Sequence, residues 1–254
     1  MRTLHLNGMT PPALAIAIAL GEKGLDFTMA DHDWRATADA LGEFADRLEL
    51  TNTLEGEFPI LVDDGTAVSD SYFVLEYLDD AYPDPPLRPA DAYGQWQVQA
   101  FARFLGERIL PAVSTLGVGQ RFTGEAGHVA ALASAPVLTP ERRNAWTAAS
   151  ATGGDAELRS ESLRQLRLFA GRLDEALSEA GGPWLFGARL TIADIGAFAL
   201  VHHFLAGNLD GGAVAFSAAV RDWHARMADR GAVRQALGLR EPAFLPGPEH
   251  SRWG

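Results

Sequence analysis

The stretch that decides the fold covers residues 58–83 and reads FPILVDDGTAVSDSYFVLEYLDDAYP. An apolar run, an Asp-Gly turn and a second apolar run predict a β-hairpin over residues 58–68. Ser69 and Asp70 are residue types that begin helices, and the apolar spacing after them predicts a helix that ends before Pro83. The block is therefore predicted to fold as strand, turn, strand and helix.

Two short strands and a helix are predicted before this hairpin. Residues 3–6 and 26–29 are apolar strand candidates. The segment between them, residues 11–23, alternates large apolar residues with alanines, a spacing that fits a strand or a helix. We favour a helix because the segment is long, its prolines suit a first turn and Gly24 suits an end. A further short helix over about residues 37–48 gives the order βαβαββα.

A proline-rich linker separates this region from a helical one. Residues 83–89 carry four prolines in seven positions, a density that neither a helix nor a central strand tolerates. Beyond the linker, helices are predicted over residues 91–116, 157–180, 192–206 and 213–230, with weaker ones between 119 and 146 and a flexible connection over 148–155. The predicted division is a first domain over 1–83, a linker over 84–90, a helical domain over 91–240 and a tail over 241–254 that no pattern places.

Composition excludes several classes of function. The chain has 254 residues, 47 % hydrophobic and 21 % charged, as in a globular protein. Its net charge of -12 argues against nucleic-acid binding. We find no apolar run that predicts a membrane span and no secretory signal, so a cytoplasmic location without membrane association is expected. The absence of cysteine removes disulfides, cysteine-based metal sites and any protein thiol as nucleophile.

The hairpin block, the linker and the later stretch PWLFGARLTIADIGAFA over residues 183–199 resemble the cytosolic glutathione transferase superfamily. The segments EKGLDF, LRPAD and VSTLG resemble most its bacterial β-etherase branch, which cleaves lignin-type aryl ethers with glutathione. The resemblance implies an α/β plus all-α architecture, with an N-terminal thioredoxin-like domain and a C-terminal helical bundle. It also implies a homodimer that uses glutathione as co-substrate, with no metal.

Four residues of the hairpin block are the candidate glutathione-binding residues. Pro59 opens a strand, where the resemblance implies a cis Phe58–Pro59 bond and a Phe58 backbone that pairs with the cysteinyl unit of glutathione. Asp70 and Ser71 stand at a helix N-terminus, which favours an anion. The resemblance assigns Asp70 to the γ-glutamyl amino group and Ser71 to its carboxylate. Pro59 as a plain strand start and Asp70 and Ser71 as plain helix caps are the alternatives.

The contact to the glycyl carboxylate of glutathione is left open. Arg47 and Asn52 are the candidates, with Arg35 behind them. The region around them departs from the family, because Thr53-Leu54-Glu55-Gly56 stands where the family has an Asn-Pro turn.

The group that activates the thiol is also open. Family members carry a Tyr, Ser or Cys between the first strand and the first helix, whereas residues 6–13 read LNGMTPPA. The Asn-Ser pair of the β-etherase branch aligns with Pro12-Ala13, so the usual hydroxyl is missing. Thr10 and Asn7 are the remaining candidates. Thr10 precedes a proline and is equally suited to cap the helix.

A family member without cysteine is expected to attack an electrophile rather than reduce disulfides. The predicted reaction joins a glutathione thiolate to a small, apolar and aromatic electrophile, by β-aryl ether cleavage or a related conjugation. The candidate pocket residues are Trp96, Phe101, Phe104 and His202, although phenylalanines at helical spacing are usually core residues. The alternatives are conjugation of epoxides or halides, peroxidase or isomerase activity, and a non-catalytic scaffold or regulator on the same fold.

Two further motifs are predicted to be structural. Thr191 and Asp194 fit a helix capping box, so we expect Asp194 to serve folding. His202 and His203 are adjacent in a helix and face different sides, which argues against a metal pair. One of the two is a candidate pocket residue and the alternative is a satisfied core histidine.

Overall fold

The computed structural model of the protein describes residues 1–32, 58–121, 156–210 and 212–244, without the side chains of 119–121. The predicted helix over 37–48 and the candidates Arg35, Arg47 and Asn52 lie outside these residues. The weaker helices predicted beyond residue 121, the connection over 148–155 and the last ten residues lie outside them as well.

Four strands form one sheet in the order β2-β1-β3-β4. Their bounds are Arg2–Leu6 for β1, Thr28–Asp31 for β2, Ile60–Asp63 for β3 and Thr66–Ser69 for β4. Strand β1 is parallel to β2 and antiparallel to β3, with Leu4 opposite both Met29 and Leu61. The β3–β4 hairpin turns through Asp64 and Gly65, at φ 47° and 88°. Two successive left-handed residues make the tight hairpin turn that an Asp-Gly pair predicts.

Eight α-helices are described. They are α1 (Pro11–Glu22), α2 (Ser71–Ala81), α3 (Ala92–Phe104), α4 (Leu110–Arg121), α5 (Ala156–Glu179), α6 (Ile192–Ala206), α7 (Ala218–Ala228) and α8 (Gly231–Leu237). A π-helical turn over Leu105–Ile109 joins α3 to α4. None of the described helices is both long enough and apolar enough to cross a bilayer.

Helix α1 lies at the centre of the molecule. It packs against α2, α6 and α8, and its residues 13–20 are all buried. A helix that is covered on all sides needs no polar face, which explains why its periodicity could not distinguish a helix from a strand. Helix α6 is buried in the same way, so the thioredoxin-like sheet domain and the helical domain share one continuous core.

Most predicted elements are confirmed. Strand β2 lies two residues later than predicted, and the predicted helix over 91–116 consists of α3, the π-helical turn and α4, which continues to Arg121. The end of the chain differs as well. The hairpin, α1, α2, α5 and α6 agree with the predicted segments within about two residues. The predicted helix over 213–230 instead begins at Ala218, because the Ser217 hydroxyl accepts a hydrogen bond from the Val220 amide at 3.1 Å and caps it there. The prediction missed α8.

The predicted capping box is confirmed. The Asp194 carboxylate accepts hydrogen bonds from the Thr191 amide at 3.0 Å and the Thr191 hydroxyl at 2.9 Å. It also accepts from the Leu185 amide at 2.9 Å and the Trp223 indole at 3.0 Å. Burial raises the pKa of Asp194, which these four donors oppose. Its partners are all structural, in agreement with the folding role that the sequence predicts.

A buried ion pair fixes the far ends of α1 and α2 to the linker. Lys23, the only lysine of the chain, lies 2.6 Å from an Asp79 carboxylate oxygen and 2.6 Å from the Pro85 carbonyl. Asp79 also accepts from the Leu87 amide at 2.7 Å and from Arg88 at 2.9 Å. Burial alone would raise the pKa of Asp79, but the hydrogen bonds from Lys23, Leu87 and Arg88 outweigh it and the pKa is lowered.

Candidate active site

The N-terminal ends of α1 and α2 open into the same cavity. Its volume is about 70 Å³, and residues at the first turns of both helices line it together with the π-helical turn after α3. Pro11 and Pro12 come from α1, Ser71 and Tyr72 from α2 and Gly106 from the turn. Each helix N-terminus carries a partial positive charge. Both ends therefore add positive potential to a cavity whose wall is otherwise apolar apart from Ser71 and Tyr72.

The start of α2 is held in an unusual backbone conformation. Asp70, its N-cap, has φ 66° and ψ 116° and accepts a hydrogen bond from the Tyr72 amide at 2.9 Å. This left-handed conformation is uncommon for a residue with a side chain and is most often retained at functional sites. Ser71 follows at the cavity wall with its side chain half-buried. The capping role foreseen for Asp70 is present, and Ser71 lies beside it in the cavity wall.

The predicted cis peptide bond is confirmed between Phe58 and Pro59. The two residues come immediately before β3, where Phe58 is half-buried and Pro59 is buried. The Phe58 ring stacks on the His32 ring with 4.8 Å between ring centroids.

The start of α1 carries few main-chain donors. Pro11 and Pro12 occupy its first two positions and have no N–H group. The Thr10 amide donates to the Gly8 carbonyl at 2.9 Å, and the Ala13 amide donates to the Thr10 hydroxyl oxygen at 3.4 Å. The helix end therefore supplies positive potential but almost no free amide to a bound anion.

The Thr10 hydroxyl caps α1 and keeps its own hydrogen available. Its oxygen accepts from Ala13, which is an acceptor role, and among the residues that the structure describes no acceptor takes the hydroxyl hydrogen. Thr10 is 9 % exposed. The Thr10 hydroxyl can therefore cap the helix and also donate to a thiolate. The sequence alone left these two roles as alternatives. Asn7, the other candidate, directly follows β1 and is half-buried.

Tyr72 is a cavity residue that the sequence analysis missed. Its hydroxyl donates to Glu76 at 2.9 Å, and Glu76 also accepts from Gln99 at 2.9 Å. Burial, and then the bond to Glu76, raise the pKa of Tyr72 well above its usual range. The phenol is therefore neutral, and its proton is directed to Glu76 rather than to the cavity. The only signal in the sequence was its place directly after Ser71.

The three predicted pocket aromatics do not line this cavity. Trp96 is 58 % exposed and stacks on Tyr93 at 5.5 Å between ring centroids. Phe101 and Phe104 pack on each other and against rings of the helical core, namely Phe186 and Phe169. On the same stretch of helix the cavity is lined by small and aliphatic residues, among them Ala102 and Gly106. Phe101 thus belongs to the core of the helical domain, and Phe104 packs against it.

A second cavity, of about 260 Å³, lies beside the β1–α1 loop and is lined by His202. Met9, Leu14 and Leu237 give it apolar walls, and Arg240 lies at its polar side. Burial lowers the pKa of His202, so its ring is neutral near pH 7. His202 and His203 both line this cavity, with their ring planes 81° apart. Among the described residues no group of three or more side chains is placed to hold a metal ion.

The sheet domain, the helical domain and the shared cavity together define a two-domain protein of the thioredoxin-like class. The family model of the glutathione S-transferase N-terminal domain matches residues 10–86, and that of the C-terminal domain matches residues 146–237. The chain belongs to the glutathione S-transferase family. Members of this family use glutathione as co-substrate.

Two individual proteins illustrate the similarity. Protein LigF of Sphingobium sp. (strain NBRC 103272 / SYK-6) is 28 % identical over 211 residues, which cover 79 % of this chain and 78 % of that protein. The crystal structure of this β-etherase superposes with a TM-score of 0.77 at 25 % identity, covering 93 % of this chain and 98 % of that one. A glutathione S-transferase of Methylobacterium radiotolerans, solved in complex with glutathione sulfonate, shares the fold with a TM-score of 0.67 at 19 % identity, over 93 % and 94 % of the two chains.

Proposed function

We propose that this protein is a glutathione transferase whose bound thiolate attacks an apolar aromatic electrophile, with β-aryl ether cleavage as the leading reaction. The observation that carries the proposal is the pair of helix N-termini at one cavity. A glutathione thiolate and a γ-glutamyl carboxylate are the two anionic groups that such a pair stabilises. The similarity to a β-etherase over most of the chain supports the choice of reaction.

The proposed pose places the γ-glutamyl end at α2. The Ser71 hydroxyl donates to the carboxylate there, and Asp70 accepts from the amino group. The cis Phe58–Pro59 unit presents the Phe58 backbone to the cysteinyl unit as an added strand. Arg47 and Asn52 are the proposed contacts of the glycyl carboxylate.

Thr10 is the proposed activator of the thiol, with Asn7 as the second candidate. Its hydroxyl hydrogen is available, while the two prolines remove the main-chain donors that would compete for the role. A hydrogen bond to a charged group is worth about 1.5–3 kcal/mol. Since one pKa unit corresponds to about 1.4 kcal/mol, such a bond lowers the thiol pKa by about one to two units.

The cavity beside the β1–α1 loop is the proposed place of the electrophile. An apolar cavity of roughly 150 Å³ holds a benzene ring, and this one has about 260 Å³ with His202 in its wall. In the proposed reaction the thiolate sulfur attacks the carbon of the ether and forms a C–S bond. The C–O bond breaks and its electron pair leaves with the phenolate. The products are a glutathione thioether and a phenol.

A non-catalytic scaffold is the second candidate function. The observation that favours it is the lack of Tyr, Ser and Cys in residues 6–13. The two candidates differ in one measurable property, since a scaffold that retains glutathione leaves the thiol pKa near its ordinary value of about 8.5.

We also propose a homodimer. Phe73 on α2 and Tyr93 and Trp96 on α3 are 54 %, 67 % and 58 % exposed. Large exposed aromatic residues are typical of interfaces. Light scattering at micromolar concentration is expected to give twice the 27.2 kDa of the chain, and a monomer mass would reject the dimer.

Calorimetry with glutathione tests the proposed function, followed by a glutathione-consumption screen over aryl ethers, epoxides and halides. We expect binding of glutathione, and turnover of aryl ethers in preference to the other two classes. A folded protein that binds no glutathione at millimolar concentration would refute the transferase and leave the scaffold.

A further inference from the structure

The carbonyl of Met9, in the β1–α1 loop, is held from two sides. The His203 Nε2 of α6 lies 2.7 Å from it, and the Ala243 amide of the C-terminal segment donates to it at 2.8 Å. Residue 9 and residue 242 also form an isolated parallel bridge. A helix of the second domain and the end of the described chain thus meet at the loop that carries Thr10.

His203 is the buried histidine that the sequence analysis allowed for. It is fully buried, and its Nδ1 lies 2.8 Å from the Ala199 carbonyl one turn earlier in α6. Burial lowers its pKa to about 4, so the ring is neutral near pH 7 and carries a single N–H. Both ring nitrogens face a carbonyl oxygen, so this one hydrogen is donated either to Ala199 or to Met9.

The C-terminal segment is positioned by the Phe244 ring. A Cβ on Gly117 would lie 2.2 Å from this ring, and one on Gly207 would lie 3.0 Å from it, so the two glycines form a slot that fits the phenyl group. The His203 ring makes a T-shaped contact with the same phenyl, with 5.7 Å between centroids. Gly8 faces Ala243 closely, since a Cβ on Gly8 would lie 2.9 Å from the Ala243 Cβ. The contact between loop and segment is therefore specific to these residues.

We propose that His203 is a positioning residue that donates its Nε2–H to the Met9 carbonyl and so sets the orientation of the thiol-activating loop. Met9 is joined to Thr10 by a peptide bond, and the Thr10 amide donates a hydrogen bond to the Gly8 carbonyl. A rotation of the Met9 peptide therefore moves the Thr10 hydroxyl. The catalytic part of this inference rests on the proposed function. If His203 served packing alone, kcat would not depend on whether residue 203 carries an N–H donor.

The position of the ring hydrogen is tested without glutathione. Nitrogen-15 NMR of the histidine rings near pH 7 is expected to place the His203 proton on Nε2. A proton on Nδ1 would overturn the proposal. Hydrogen exchange is expected to show a protected Ala243 amide in the wild type and faster exchange of residues 7–10 in His203→Leu, and unchanged exchange in that variant would also overturn it.

The kinetic test compares three variants with the wild type. In His203→Leu we expect kcat to fall about tenfold to a hundredfold, the scale at which small misplacements of reacting groups act, with the KM for glutathione within about twofold. The KM is spared because the anchoring residues Phe58, Asp70 and Ser71 lie on other elements. His203→Gln retains an N–H donor and is expected to recover most of the lost rate.

Phe204→Leu is the matched control. Phe204 follows His203 in α6, is 2 % exposed and packs on the Phe216 ring at 5.9 Å between centroids. A smaller side chain at this buried position is expected to lower stability without lowering kcat. Equal rates in His203→Leu and Phe204→Leu, or no rescue by glutamine, would refute the positioning role. Failure of the proposed function is distinct, because the wild type itself would then bind no glutathione.

Discussion

The two helix ends at the candidate site are built in opposite ways. Helix α2 begins with Asp70 in a left-handed conformation and offers the Ser71 hydroxyl and the potential of a helix N-terminus to the cavity. Helix α1 begins with Thr10 and two prolines, so its first turn has lost the N–H groups of Pro11 and Pro12. The first turn of α2 contains no proline and keeps its main-chain N–H groups, whereas the first two positions of α1 have none.

This difference separates binding from chemistry. The carboxylate of a ligand is an anion at all relevant pH values and is well served by a donor-rich helix end. A thiol becomes nucleophilic only as the thiolate, so its activation depends on a donor that favours the ionised form. In the proposed function that donor is the Thr10 hydroxyl, since the first two positions of α1 have no amide hydrogen. Variants at the two helix ends should therefore affect different measurable constants.

The largest loss of stability is expected at the buried pair of Lys23 and Asp79, which joins the far ends of both helices. Lys23→Ala leaves the Asp79 carboxylate buried with one donor fewer, and loss of one partner of a buried pair costs about 3–5 kcal/mol. Denaturant unfolding measures this loss of stability. The surface variant Arg164→Ala, which breaks an exposed pair with Glu161, is the control and should change the midpoint little. Equal midpoints for the two variants would show that the pair does not hold α1 and α2 together.

The same pair gives a dependence on pH. The pKa of Asp79 is lowered in the folded state, so its contribution is present above the ordinary carboxyl pKa of about 4 and is lost as the pH falls below it. Stability curves between pH 3 and about 6 should therefore be less steep in Asp79→Asn than in the wild type. Parallel curves would contradict the assignment.

The next largest effect is expected on the affinity for glutathione, at the N-terminus of α2. Ser71→Ala removes the proposed hydrogen bond to the γ-glutamyl carboxylate, worth about 1.5 kcal/mol or more, so the Kd for glutathione should rise about tenfold. The thiol pKa of bound glutathione should stay the same. Calorimetry measures the Kd, and Ser178→Ala, at an exposed helix end, is the control. A shift of the thiol pKa without a change of Kd would reverse the roles given to the two helix ends.

The smallest effect is expected on the rate, when an N–H group is restored in the first turn of α1. Pro12→Ala restores one N–H at the second position of α1, and a helix-end interaction of about 0.3–1 kcal/mol should raise the rate at low pH by about twofold to fivefold. Pro86→Ala in the exposed linker is the control for the change in chain entropy. The pH–rate profile of Pro12→Ala should shift to lower pH. An unshifted profile would mean that the first turn of α1 does not face the thiol.

Local chemistry made most of the fold predictable. The Asp-Gly turn, the prolines at the start of α1 and the Thr191–Asp194 box each act on residues a few positions away, and all three were confirmed. The missed features depend on distant partners. The contact of Ala243 with Met9 joins residues 234 positions apart, and no periodicity in a short tail of glycines and prolines signals it.

The candidate site was less predictable than the fold for the same reason. Helical spacing places Phe101 and Phe104 on one face of a helix but does not say whether that face meets the core or a cavity. Tyr72 lines a cavity because α1 and the turn after α3 lie opposite it. The assignments of Phe58, Asp70 and Ser71 to glutathione, and the predicted domain boundaries, stay predictions.

The pKa of the bound thiol decides whether the Thr10 hydroxyl activates glutathione. Ultraviolet absorbance of the thiolate, followed against pH with saturating glutathione, gives this pKa in the wild type, Thr10→Ser and Thr10→Val. Thr10→Val also removes the helix cap, at a cost of about 1 kcal/mol in stability, so unfolding is measured beside it. We expect a pKa below the ordinary thiol value of about 8.5 in the wild type and Thr10→Ser, and a rise of about one to two units in Thr10→Val. A Thr10→Val protein that stays folded, binds glutathione and keeps the wild-type pKa would contradict the account.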